Sequence, residues 1–197
     1  MRSHDKIWNG RLAGLPGALV LAIGVVLKQI GDRLVSALWS QNLGFCGKGT
    51  QIQRGVTIRH PGRIRIAAGT TVATGVELSS ELSGSLCEIG SDCIIGRRAR
   101  LDFSGGLVLE DGVVVSEDAK VYTHDHRLDP KSIPAKSPLV IGAGAWIGSG
   151  AMIVEGAGRI GTGSVIAAGS IVTREVPDHA LVAGVPARVI RMLNPEK

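Results

Sequence analysis

The sequence predicts an all-β solenoid of stacked coils, with one helix before it and a short closing segment after it. The first observation is a beat: between Ile141 and Val172 an aliphatic residue returns almost every sixth position, at Ile141, Ile147 and Ile153, then after one extra residue at Ile160, Ile166 and Val172. The second is what surrounds it, since Gly142, Gly148 and Gly161 follow their aliphatic residues directly and Ala145, Ala151, Ser164 and Ser170 fall four positions along. A period of six suits neither an amphipathic helix nor an alternating strand, so the units must stack on one another to bury a core. The third is composition. With 28 Gly and 3% aromatic residues the chain suits tight corners and thin aliphatic layers, while 44% hydrophobic content opposes disorder.

Residues 1–45 form a separate N-terminal segment. Residues 1–60 hold Arg2, Lys6, Arg11, Lys28, Arg33, Lys48, Arg54 and Arg59 against Asp5 and Asp32, so the net charge of +5 belongs to this end. No charge falls between Leu12 and Leu27, and Leu19, Ile23, Val26, Ile30, Leu34 and Leu38 keep helical spacing, which predicts a helix over about 17–43. Pro16 suits its first turn and Gly44 its end. Sixteen uncharged residues broken by Gly14, Pro16, Gly17 and Gly24 fall short of the ~20 that a membrane span needs, and Lys28-Gln29-Ile30 is a poor signal-cleavage site. Two readings stand. The helix docks on the solenoid or a neighbouring subunit, or it lies at a membrane surface with Trp8 and Trp39 at headgroup level. Near-absence of aromatics and of a basic helix argues against nucleic-acid binding. Cys46, Cys87 and Cys93 have neither disulfide-framework nor zinc spacing, which predicts reduced thiols and a cytoplasmic compartment.

Residues 46–177 carry the coils. The same beat occurs at Ile89, Ile95 and Leu101 and at Leu109, Val115 and Val121, with weaker echoes at Ile52, Ile58 and Ile64 and at Ile66, Val72 and Leu78. Three hexads make one triangular turn. The beat breaks between Val121 and Ile141, where two prolines and a polar cluster predict an excursion loop over 122–140. His124 and His126 stand at its start, and a neutral imidazole takes a proton near pH 7, so they are the candidate general bases. Asp125 or Asp129 could orient one of them. Asp102, one coil earlier, suits either a sugar hydroxyl or a solvated corner. Residues 178–197 are expected to close the end of the solenoid.

Ile141 to Leu193 resembles the left-handed parallel β-helix of the hexapeptide-repeat acyltransferases, closest to the maltose, galactoside and polysaccharide O-acetyltransferases. Three stretches carry the likeness. His126-Arg127-Leu128-Asp129-Pro130 is similar to the catalytic His motif of that class. Ala145-Trp146-Ile147-Gly148-Ser149 is similar to its Trp-Ile-Gly turn, and Ala167 to Arg174 with Ala183 to Arg191 resembles its terminal segment. The resemblance implies a left-handed coil and His126 as base, with His124 as the alternative or assisting residue. It implies acetyl-CoA held by Trp146, Ser149, the Ala168 backbone, Thr173, Arg174, Arg188 and Arg191, with a backbone amide near Ser149 on the oxyanion and cations meeting phosphates.

It further implies a homotrimer with active sites between subunits, a sugar or glycan acceptor, for which Asp102 and Asp129 are this chain's candidate contacts, and direct O-acetyl transfer without a metal. An enzyme of surface-polysaccharide biosynthesis, possible membrane contact through the N-terminal helix included, is the expectation. Transfer to the amine of a nucleotide-linked sugar is the alternative. A gamma-type carbonic anhydrase would need three zinc-binding histidines where this chain offers one His-x-His pair, and a non-catalytic scaffold would bind no acetyl-CoA.

Overall fold

In the computed structural model, which describes residues 15–194, helix α1 (Leu15–Ser40) leads into three parallel sheets wrapped as a triangular prism. Each hexad supplies one short strand with one inward aliphatic side chain. The first face stacks Cys46, Ile66, Ile89, Leu109, Ile141 and Ile160 in register. The second stacks Ile52, Val72, Ile95, Val115, Ile147, Ile166 and Val182. The third stacks Ile58, Leu78, Leu101, Val121, Ile153 and Val172. Most of these side chains are fully buried, and each contributes about 1.5–3 kcal/mol by leaving water. The small residues Ala145, Ala151, Ser164 and Ser170 are buried at the corners, as the repeat predicts.

Ile64 departs from its expected place. It shares the strand Ile64–Ile66 and pairs with Cys87, so it opens the second coil instead of ending the first. A 3-10 turn at Pro61–Arg63 inserts before it, and its six-residue distance from Ile58 is coincidental.

The two corners that join first to second and second to third faces keep the six-residue spacing throughout the six complete coils. Every departure falls at the third corner, where the chain returns to the first face: 59–63, 80–86, 103–106, 122–138 and 154–158. Inserted segments from successive coils are therefore brought together along one edge of the prism.

Helix α1 spans Leu15–Ser40 instead of 17–43 because its last turn closes early. The amides of Asn42 and Leu43 both donate to the Trp39 carbonyl, at 2.9 and 3.0 Å, and Asn42 Nδ2 donates to the Leu38 carbonyl. Gly44 is needed for close approach, since a Cβ there would stand 2.6 Å from the Gly62 carbonyl oxygen. The later half of α1 covers the edge of the first coil. Ser36 Oγ accepts from the Ile52 amide at 2.8 Å and donates to the Ile52 carbonyl at 3.0 Å, satisfying edge groups that would otherwise template further strands. Asp32 accepts from the Arg54 amide and Nε. The earlier half, 18–30, leaves Leu19, Leu21, Ile23, Val26 and Leu27 exposed. No helix among the described residues is long and apolar enough to cross a membrane. Trp8, Arg2, Lys6 and Arg11 lie outside the described residues.

The closing segment extends the second face more than it caps the prism. Ala180–Gly184 adds a parallel strand beside Val165–Ile166, and Ala187–Met192 folds back antiparallel on it.

Candidate active site

The excursion loop is a small hairpin. His124–Asp125 pairs antiparallel with Ala135–Lys136, and the Ser137 amide donates to the Thr123 carbonyl at 2.8 Å, so the loop leaves and rejoins the prism at one point. Gly105 makes room for this root: a Cβ there would collide with the Thr123 carbonyl oxygen and lie 2.6 Å from Ser137 N. The extra residue between Ile153 and Ile160 serves the same root. It lets Gly156 take φ +84° and donate its amide to Ser137 Oγ at 2.9 Å.

Four side chains from three coils converge on this corner. Asp102, 5% exposed, is neither a solvated corner nor free for a sugar hydroxyl, because protein donors occupy both its oxygens. Oδ1 accepts from Ser104 Oγ at 2.5 Å and Ser104 N at 3.3 Å. Oδ2 lies 2.8 Å from both Thr123 N and Thr123 Oγ1 and 2.9 Å from His124 Nδ1. Burial pushes the Asp102 carboxyl upward, but hydrogen bonds from Ser104, His124 and Thr123 outweigh it and hold the group below the usual carboxylate range.

His126 is placed differently. Its Nδ1 lies 3.1 Å from the Ser132 carbonyl, and Ser132 Oγ donates back to the His126 carbonyl at 2.9 Å, which closes the loop tip. The two imidazoles stand edge to face with centroids 5.2 Å apart. Both Nε2 atoms face Glu81, whose oxygens lie 3.7 Å from His124 Nε2 and 3.3 Å from His126 Nε2. A polar cavity of about 210 Å³ opens beside His124, lined among others by Arg59, Glu77, Ser79, Arg100 and Tyr122.

The structure does not bring the other loop carboxylates to the histidines. Asp129 is exposed and accepts from the Lys131 amide, and Asp125 accepts from the Arg127 amide. Glu81, Ser104, Thr123 and Ser132 escaped sequence reasoning. Glu81 had a signal: Ile89 follows Leu78 by eleven positions where six would continue the beat.

The remaining expected residues lie elsewhere on the prism. Trp146 is on the second face, half exposed, its Nε1 donating to Ser116 Oγ at 2.8 Å. Ser149 and Ala168 are exposed on adjacent coils at the second corner, where the Gly169 amide donates to the Ser149 carbonyl at 2.9 Å. Thr173 and Arg174 open the third corner of the last complete coil, and Arg188 and Arg191 lie on the exposed strand Ala187–Met192. Within one chain the third face separates the histidines from Ser149 and Ala168.

No family model matches the chain. It is 25% identical over 158 residues to the probable acetyltransferase Rv3034c of Mycobacterium tuberculosis, covering 77% of this chain and 51% of that protein. It is 38% identical over 113 residues to nodulation protein L of Rhizobium meliloti, covering 52% and 61%. The chain thus spans about half the length of the curated relatives it matches. Among solved structures, the hexapeptide-repeat-containing acetyltransferase VCA0836 of Vibrio cholerae matches 90% of this chain and 92% of its own, at 27% identity and a TM-score of 0.59. The chain carries the left-handed β-helix of the hexapeptide-repeat acyltransferases. A complex of VCA0836 with acetyl coenzyme A matches this hexapeptide-repeat chain with a TM-score of 0.57. AntD, an N-acyltransferase of Bacillus cereus solved with dTDP and 3-hydroxybutyryl-CoA, matches 80% of the chain at a TM-score of 0.69; at 21% identity it speaks for the fold alone.

Proposed function

We propose that the protein is an acetyl-CoA-dependent acyltransferase that acetylates a hydroxyl of a sugar or surface-polysaccharide precursor, with His124 as general base. The observation that carries this reading is the buried Asp102–His124 pair, with His124 lining the cavity and its Nε2 3.7 Å from Glu81. The Asp102 carboxylate can only accept, so a neutral His124 carries its proton on Nδ1 and presents an Nε2 lone pair. An acceptor hydroxyl gives its proton to that nitrogen as its oxygen bonds to the acyl carbon. When the carbon–sulfur bond breaks, the imidazolium returns the proton to the departing thiolate. Asp102 favours the charged ring during transfer. His126, favoured by motif alone, is held by a backbone carbonyl instead of a buried charge and serves here as the assisting residue.

For the acyl donor, the proposed contacts are Trp146, the backbone at Ser149 and Ala168, Thr173, and the exposed cations Arg174, Arg188 and Arg191, which suit phosphates. Because Ser149 and Ala168 occupy a different corner from His124, the reading includes a homotrimer whose sites form between subunits. Asp129, exposed at the loop tip, is a proposed acceptor contact. Glu81 favours a second reading, transfer to the amine of a nucleotide-linked sugar, since a carboxylate beside the base suits an ammonium. The exposed apolar half of α1, preceded in sequence by Arg2, Lys6 and Arg11, supports peripheral contact with the cytoplasmic membrane surface.

The test is release of free CoA from acetyl-CoA with a panel of sugars, nucleotide sugars and lipid-linked glycans. Acceptor-dependent release that falls about 10²-fold or more in His124→Ala, and less in His126→Ala, is expected. Near-normal release in His124→Ala would remove the base assignment. Absence of acetyl-CoA binding by calorimetry would favour a scaffold.

A further inference from the structure

With both imidazoles neutral, the three groups at the mouth of the site are all acceptors. His124 Nδ1 faces the Asp102 carboxylate at 2.9 Å and His126 Nδ1 faces the Ser132 carbonyl at 3.1 Å, partners that can only accept. In its neutral form each ring therefore carries its proton on Nδ1 and presents an Nε2 lone pair. Both lone pairs converge on the Glu81 carboxylate, and one ligand atom from each residue lies within 4.8 Å of the others. Lone pairs gathered this way repel one another unless a donor or a cation lies between them.

We propose that Glu81, His124 and His126 form a three-ligand site for a divalent transition-metal ion of the zinc type. Bonds of 2.0–2.1 Å in a tetrahedral site put neighbouring ligand atoms about 3.3 Å apart. Here His126 Nε2 is 3.3 Å from Glu81 Oε2 and His124 Nε2 is 3.7 Å from the other oxygen, Oε1, so the carboxylate must turn to offer one oxygen to both rings. Glu81 is exposed, so a small rotation of its side chain closes the longer gap. Two imidazoles and a carboxylate, with no thiolate, suit zinc and leave its fourth position open toward the cavity.

The surrounding layer fits as well. A ring nitrogen donating to a carboxylate, as His124 does to Asp102, or to a backbone carbonyl, as His126 does to Ser132, is the arrangement that orients metal-bound histidines. Among the described residues no other group of three His, Cys, Asp or Glu side chains converges in this way. The ion and an acceptor hydroxyl would compete for the same Nε2 lone pair, so zinc inhibits acyl transfer instead of serving it. That last consequence rests on the reading of His124 as base.

The test is titration of the chelator-treated full chain with zinc chloride by calorimetry, independent of any acyl transfer. One ion per chain is expected, with affinity reduced at least tenfold in Glu81→Gln and in His126→Ala and unchanged in Glu88→Gln, a control on the first face. The cobalt-substituted protein should show the intense visible bands of a four-coordinate ion. No saturable binding, or binding equally strong in both site variants, overturns the proposal. If no acceptor supports CoA release, the acyltransfer reading fails while the calorimetry still decides the metal site.

Discussion

Replacing Asp102 with Asn keeps the shape of the buried carboxyl and removes its charge. Ser104 Oγ, which already accepts from the Glu81 amide, can also accept from the new amide, so the carbonyl oxygen stays toward Thr123 and His124, while the 3.3 Å contact from Ser104 N and the acceptor of the Ser104 hydroxyl proton are lost. Trading charge-assisted hydrogen bonds for neutral ones costs about 1–2 kcal/mol of stability, or a melting temperature lower by roughly 2–8 °C. The catalytic effect is larger. With 2.9 Å between Oδ2 and Nδ1, the carboxylate and imidazolium charge centres stand about 4 Å apart. At an effective dielectric constant near 20 that attraction is about 4 kcal/mol, and its loss slows proton abstraction by about 10³-fold. The assay is acceptor-dependent CoA release, read as kcat/KM, alongside a thermal melt. A folded Asp102→Asn enzyme within about fivefold of the parent would refute the claim that this carboxylate supports the base.

Three further outcomes follow from the packing. Gly105→Ala drives a methyl group into the loop root at Thr123 and Ser137, and is expected to lower stability by about 1–3 kcal/mol in a thermal melt and to reduce CoA release through displacement of the hairpin. Ser36→Ala leaves the Ile52 amide and carbonyl without their partner, for a loss of about 1–2 kcal/mol in denaturant unfolding; an unchanged midpoint would show that the helix does not guard this edge. Burial, with help from Glu88 and Asp102, pushes the Cys87 thiol up to about 12 from its ordinary 9.0. Because the unfolded thiol ionises first, its contribution to stability is complete below pH 9 and is lost as pH rises from 9 toward 12. Melts of Cys87→Ala should lack that part of the alkaline decline, and a thiol reagent at pH 8 should find Cys87 only after unfolding.

The solenoid was legible because its signal is local and repeated. Each hexad places one aliphatic residue inward, and the coils from Ile89 to Val172 fall where the count puts them. Legibility failed where an insertion mimicked the beat, as with Ile64 behind the turn at Pro61–Arg63. It also failed at the helix end, where side-chain and turn hydrogen bonds near Trp39, and not Gly44, set the stop. In the site, the two histidines were visible as titratable groups in a broken repeat. Their surroundings were not, since motif spacing favours His126 while the buried carboxylate of Asp102 lies against His124.

The sequence alone determined that this chain stacks coils, and that its candidate bases belong to the segment where stacking is interrupted. Both are consequences of periodicity, which depends on neighbours along the chain. Only the tertiary structure decided that Asp102, Glu81 and the histidines meet at the corner where those interruptions fall. Residues 81, 102, 124 and 126 belong to three successive coils, and no pattern along the chain records which side chains of those coils touch. That information resides in the winding, where the cross-coil hydrogen bonds bring residues some twenty positions apart within 3 Å of each other.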